Sequence, residues 1–382
     1  MKTKRLSILL IILSIGTLFL NSCKPKSAAG NKEANSENAS TISESKQLLS
    51  FEALPKTTQS NFFNTVQSEN VLIDPGYWTW GLSVIKWKDG KYHAFYSRWK
   101  KEYGWKAWMT DSEIAHGVSD KMEGPYKFKN LVLASRNEGG WESATSHNPS
   151  VCVVDGQIFL YYISVDLHGI YPETEETYPI SKWIKDNWNI ARNRQLIGLA
   201  TASDPYDEFV RTPEPVVTPQ EGLFKNIAVN PAVTYANGKF TMVMKGDDIK
   251  YDKAFRIQLV GHSTKAEGPF EFVNEPVYDQ AQTEDATIWY DNMKEKYFMA
   301  CHVISRPELI LMTSPDSYQW QPASNPLFTK KEILLDNGEL WKPQRMERPF
   351  VFTDEQGQPL MLFIAIKDKG VSGNIAIPIS QK

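Results

Sequence analysis

A short unit recurs five times along this chain, and that repetition narrows the folds open to it more than any other feature. Each copy opens a strand with a small motif, turns seven or eight residues later and returns as an aromatic strand. The first runs Gly81-Leu-Ser-Val-Ile, Asp89-Gly90, Lys91-Tyr-His-Ala-Phe-Tyr-Ser; the second Asn148-Pro-Ser-Val-Cys, Asp155-Gly156, Gln157-Ile-Phe-Leu-Tyr-Tyr; the third Asn230-Pro-Ala-Val-Thr, Asn237-Gly238, Lys239-Phe-Thr-Met-Val. The fourth is weaker, with Asp285-Ala-Thr-Ile-Trp, a turn near Asp291-Asn292 and Lys296-Tyr-Phe-Met-Ala; the fifth is Arg348-Pro-Phe-Val-Phe, Gln356-Gly357 and Pro359-Leu-Met-Leu-Phe. A third strand closes several units, as in Leu196-Ile-Gly-Leu-Ala and Ile257-Gln-Leu-Val-Gly.

The opening positions 81, 148, 230, 285 and 348 are spaced 55 to 82 residues apart. Three or four strands per interval fit the blades of a propeller, whereas a jelly roll or irregular sandwich has no reason to repeat. The expected fold is therefore all-β, a five-bladed β-propeller. The one clear helical stretch, Ile180 to Arg194, reads as an insertion.

The segment ahead of the repeats is different in kind. Lys2, Lys4 and Arg5 precede an apolar run from Leu6 to Leu20, followed by Leu20-Asn21-Ser22-Cys23. This is a secretory signal that resembles a bacterial lipoprotein lipobox, which implies cleavage before Cys23, diacylation of that cysteine and a lipid anchor in the cell envelope. Residues 24–60, rich in Ser, Asn, Ala, Glu and Lys, read as a disordered tether, leaving 61–382 for the propeller. The formal charge of −3 has both signs interspersed and forms no basic stripe, which argues against nucleic acid as a partner. Cys152 and Cys301 each sit in an apolar run and read as buried thiols. No His/Cys cluster has ligand spacing, so no metal or other cofactor is expected.

At its opening motifs the chain resembles the five-bladed propeller glycosidases, the superfamily of glycoside hydrolase family 43 and its relatives acting on arabinose, xylose, fructose and anhydrogalactose units. Ser83-Val84-Ile85 and Asp89-Gly90-Lys91-Tyr92 match the family's first blade, and Asn148-Pro149-Ser150-Val151 its second. Two family aspartates are missing. The first-blade general base is Gly81 here, and the second-blade aspartate that tunes the acid is Asn148.

In a propeller the inner strand of each blade lines the central channel, so the motif-opening residues and their neighbours are the candidate site. Glycosidic hydrolysis calls for two carboxyl groups; Asp285 with Glu284, and Glu347, are the candidates, with strand alternation turning only one of the first pair inward. Asp74 is a turn aspartate that could enter from the preceding loop. His147 and His302 are further catalytic candidates. Arg98, Trp80, Asn148, Asn230, Lys245, Arg345 and Arg348 are candidates for substrate binding, the arginines because their planar fork suits a carboxylate or sulfate. Equally, the arginines could form a structural ion-pair network, and Asn148 and Asn230 could cap strand ends. Trp78, Trp80, Trp99, Trp105 and Trp108 crowd the first blade, with one or two expected at a sugar site. The expected function is an exo-acting, glycoside hydrolase-like enzyme of polysaccharide degradation on anionic, uronate-containing oligosaccharides. A lyase or dehydratase forming an unsaturated uronic acid, and a non-catalytic glycan-binding lipoprotein, are the alternatives.

Overall fold

Each repeat folds as a four-stranded antiparallel sheet in which consecutive strands are neighbours, as short turns between aromatic and β-branched runs dictate. A computed structural model describes residues 49–137, 139–171 and 180–380. Cys23, the lipobox and most of the expected tether lie outside these residues.

Blade one consists of Tyr77–Lys86, Tyr92–Lys100, Glu113–Ser119 and Lys127–Leu133; blade two of His147–Val154, Gln157–Val165, Gln195–Ala202 and Val210–Arg211. Blade three is Phe224–Ala236, Lys239–Asp248, Arg256–Ser263 and Glu271–Phe272, and blade four is Thr283–Asp291, Lys296–Val303, Glu308–Ser314 and Gln321–Lys330. The hairpin turns follow their sequence signals: Asn237 (φ 52°) and Gly238 (φ 75°) adopt the paired left-handed conformation of a two-residue hairpin turn.

Blade five is assembled from both parts of the described chain. Arg345–Thr353, Pro359–Asp368 and Val371–Ser380 are joined by Ser50–Phe51, which pairs antiparallel with the last strand, Ser50 opposite Ser380. Helix Lys56–Phe63 follows, and its Phe62 is fully buried edge-on against Trp341 at 5.1 Å. Folded chain thus begins by residue 50, inside the span read as tether. Within that span Phe51 and Leu54 supply apolar burial that the polar composition of the wider segment had masked.

Apolar side chains fill the seams between blades. Trp289 and Phe298 of blade four, for example, pack in one cluster with Leu362, Ile364 and Ile377 of blade five. Cys301 is buried and Cys152 half-buried, both as free thiols.

Candidate active site

The motif-opening residues share one backbone peculiarity. Gly81, Asn148, Asn230, Asp285 and Arg348 all have positive φ, at 32°, 52°, 55°, 57° and 53°. In each blade the ladder between the first two strands shifts register at that point. For a side-chain-bearing residue the left-handed conformation costs about 1–2 kcal/mol, so four such residues at equivalent places mark a device that re-aims side chains. A bulge breaks the alternation of a strand. As a result both Glu284 and Asp285 line the cavity, where strict alternation predicted one.

The re-aimed side chains form a polar ring at the cavity floor. Asn148 Nδ2 donates to Asn230 Oδ1 at 2.9 Å, and Asn230 Nδ2 donates to Asp285 Oδ1 at 2.6 Å. The backbone N–H of Arg348 donates to Asp285 Oδ2 at 3.3 Å, and its guanidinium lies 3.6 Å from Asp285. A carboxylate only accepts, so Asp285 fixes the orientation of Asn230, which in turn fixes that of Asn148. The chain of bonds ends there: Asn148 Oδ1 and Arg348 Nε have no hydrogen-bond partner among the described residues. Neither asparagine caps a strand end.

Above this floor lies a cavity of about 320 Å³. The residues preceding the ring, Trp80, His147, Val229, Glu284 and Glu347, form its lower wall. Trp99, Trp105, Trp108 and Trp188 supply aromatic faces, and Lys106, Arg192, Lys245, Arg256, Arg345 and Arg348 supply cations. Further along the same inner strands, a wider space of about 950 Å³ is lined by apolar residues such as Val84, Val151, Val233, Ile288 and Phe350, and its charged residues Lys86, Lys88, Asp354 and Glu355 sit at exposed strand ends and turns. The titratable chemistry is gathered at the first mouth.

Glu284 and Glu347 are driven in opposite directions. Burial pushes the Glu284 carboxyl up, but the Lys245 charge, the His302 contact and the Arg256 charge outweigh it and hold the group well below the usual carboxylate range. Lys245 Nζ is 2.8 Å from its Oε2. Glu347 is raised by burial and then by the Asp285 charge, with Arg345 at 3.2 Å only partly offsetting them. His147 is held well below its ordinary range by burial and then by the Arg348 charge, which keeps it neutral. Its Nδ1 is 2.8 Å from Ser112 Oγ, and its ring stacks on Trp108 at 4.9 Å.

Of the residues singled out in the sequence, Asp285, Glu284, His147, Glu347, Trp80, Asn148, Asn230, Lys245, Arg345 and Arg348 all line the cavity. Two do not. Arg98 pairs with Asp74 at 2.9 Å and Glu113 at 2.7 Å, between the rings of Tyr77 and Phe128, a structural ion network that also retains Asp74. Tyr96 donates a further hydrogen bond to Asp74, which is absent from the cavity wall. His302 stands behind Glu284, its Nδ1 3.7 Å from the carboxylate.

Glu284, Asp285 and His302 could together offer three ligand atoms within 4.8 Å of one another. Lys245 faces Glu284 Oε2, Arg348 lies 3.6 Å from Asp285 and Lys331 Nζ lies 2.5 Å from His302 Nε2, while His302 Nδ1, on the Glu284 side, has no hydrogen-bond partner among the described residues.

Trp188 and Arg192 were not anticipated as site residues. They come from the helical insertion, observed as Ile180–Arg192, whose amphipathic pattern was legible but whose direction over the cavity was not. Arg192 makes a two-pronged pair with the fully buried Asp247 of blade three, at 2.7 and 2.8 Å.

No protein-family model matches the sequence, nor does any curated protein. Solved structures do resemble it. A family 117 glycoside hydrolase, Zg3597 of the marine bacterium Zobellia galactanivorans, aligns with a TM-score of 0.57 at 13% identity over 87% of this chain and 89% of its own. A GH43_1 enzyme from Xanthomonas citri complexed with xylotriose aligns with a TM-score of 0.53 at 12% identity, covering 85% and 94% of the two chains. An α-L-arabinofuranosidase from Lactobacillus brevis gives a TM-score of 0.52 at 13% identity, covering 82% and 94%. At these identities the likeness is one of fold: the chain has the five-bladed propeller fold of glycoside hydrolases.

Proposed function

We propose that the protein is an exo-acting glycoside hydrolase that trims anionic, uronate-containing oligosaccharides. The observation that carries this reading is the pair Glu347 and Glu284, two carboxyl groups in one cavity pushed apart in acidity. Such a split marks the proton donor and the ionised partner of an acid–base pair. Glu347, raised by burial and by Asp285, is the general acid that protonates the leaving oxygen. Glu284, kept ionised chiefly by Lys245, serves as the base or nucleophile. The tryptophans offer stacking faces for sugar rings, and a cavity of about 320 Å³ closed by the polar ring suits one chain end.

One observation favours a second reaction. Where the resembled family carries a carboxylate in blade one, this chain has Gly81, and Arg348 lies against it. With His147 neutral beside Arg348, elimination at a uronic acid is the competing chemistry: the arginine would polarise the sugar carboxylate, the imidazole would take the C5 proton, and the C4–O bond would break as C4=C5 forms, its oxygen leaving protonated by the imidazolium or Glu347.

The chain's signal and Cys23 support placing this activity at the cell envelope on a lipid anchor. Incubating the folded domain with neutral and uronate oligosaccharides tests the proposal, with products read by mass spectrometry and near-ultraviolet absorbance. Water addition without absorbance is the expected result. New absorbance from a conjugated double bond would transfer the assignment to the lyase, and binding without any product would leave a glycan-binding module.

A further inference from the structure

Of the six cations that line the cavity among the described residues, five face a carboxylate. Arg192 faces Asp247, Lys245 and Arg256 face Glu284, Arg345 faces Glu347 and Arg348 faces Asp285. Among the described residues no carboxylate pairs with Lys106. Its ammonium instead lies 5.1 Å from the ring centroid of Trp188, on the inserted helix. Trp188 meets Trp108 edge to face at 5.9 Å and 83°.

The helix that brings Trp188 here is tied down from outside its own blade. The Arg192–Asp247 fork reaches blade three, where Asn226 Nδ2 also donates to Asp247 at 2.9 Å, while Gln195 Nε2 donates to the Arg192 carbonyl at 2.9 Å. Asp247 is thus a positioning residue, acting on the site only through Arg192. An ammonium with no carboxylate partner among the described residues, lying over one face of a tryptophan that is itself held in place, suits a sugar ring that carries an anion, the sugar stacking on the aromatic cluster and the anion reaching the charge.

We propose that Lys106, with Trp188 and Trp108, forms a sugar subsite that recognises a carboxylate or sulfate on the substrate, and that this subsite, not the carboxylate-paired arginines, sets the preference for anionic chains. The inference rests on the saccharide reading above and names the group that selects within it. Arg348 and Arg345 each already face a carboxylate, Asp285 and Glu347, with which a substrate anion would compete.

The test is calorimetric binding of a uronate-containing disaccharide and its carboxyl-reduced neutral counterpart of the same linkage. The unaltered domain should prefer the charged sugar about fivefold at low salt, as an exposed ion pair allows, and the preference should fade as salt rises. Lys106→Gln should bring the two affinities within about twofold, and Lys106→Glu should invert their order. Trp188→Ala should weaken both sugars, with Trp188→Phe restoring most of the loss. Equal affinities in the unaltered protein, a preference that survives Lys106→Glu, or failure of both sugars to bind would overturn the proposal. Mass spectrometry of the same mixtures keeps the two readings apart: charge preference without product sinks the hydrolase, and product without charge preference sinks the subsite.

Discussion

Arg348 lies directly over Gly81: a Cβ built on the glycine would stand 3.4 Å from both Cγ and Nε of the arginine and 3.0 Å from Asn148 Oδ1. The guanidinium is in the ring because residue 81 has no side chain. Gly81→Ala should therefore cost at least about 1–2 kcal/mol through its φ of 32° alone, with further loss from the displaced arginine. Urea denaturation measures the cost, and an alanine variant as stable as the parent would contradict this account of the ring.

Asp285 is the acceptor that orients both asparagines and offsets the buried Arg348. Asp285→Asn strands that guanidinium, an effect worth about 3–5 kcal/mol in comparable buried pairs. Adding Arg348→Gln to the same chain should recover part of the stability. A double-mutant cycle checks it: additive losses would show that the two residues do not interact.

The activity should be bell-shaped in pH. Glu284 must be ionised and its carboxyl is depressed, so the acid limb lies below the ordinary glutamate range. Glu347 must be protonated and its carboxyl is raised, so the alkaline limb lies above that range. Glu347→Gln should abolish cleavage of substrates with poor leaving groups and flatten the alkaline limb on activated aryl glycosides. A limb that persists in the variant would move the acid role elsewhere.

Stability should fall in mild acid. Burial above all lowers His116 and His262, both to about 4, and holds His147 well below its ordinary range. These imidazoles are neutral in the folded protein, while the unfolded chain takes up protons below about 6.5. Their contribution is thus complete above that value and declines as pH falls toward 4. Thermal midpoints across this interval should drop before the depressed Glu284 titrates, and His116→Gln should reduce the slope.

Much of the architecture was legible in the sequence because it repeats: five opening motifs at regular intervals define five inner strands, and the inward residues follow. What alternation could not supply was the bulge at each of those positions, since a positive φ at Asp285 or Arg348 leaves no mark in composition. Hence Glu284 and Asp285 were expected to face opposite ways and do not. Arg98 and Asp74 looked like site residues one at a time, but their mutual pairing depends on a loop path that spacing does not encode. Trp188 and Arg192 were hidden for a similar reason, in an insertion whose docking is decided by Asp247 of another blade.

The pairing of Ser50 with Ser380 joins positions 330 residues apart. Four blades can arise from neighbouring hairpins, whereas the fifth awaits a contact of the greatest sequence separation and hence among the slowest to form. The ring works like a buckle. The clasp adds the outer edge of blade five, whose inner strand Arg345–Thr353 is already set by its own hairpins, so during refolding sugar binding should precede the last gain in stability, which reports the clasp engaging.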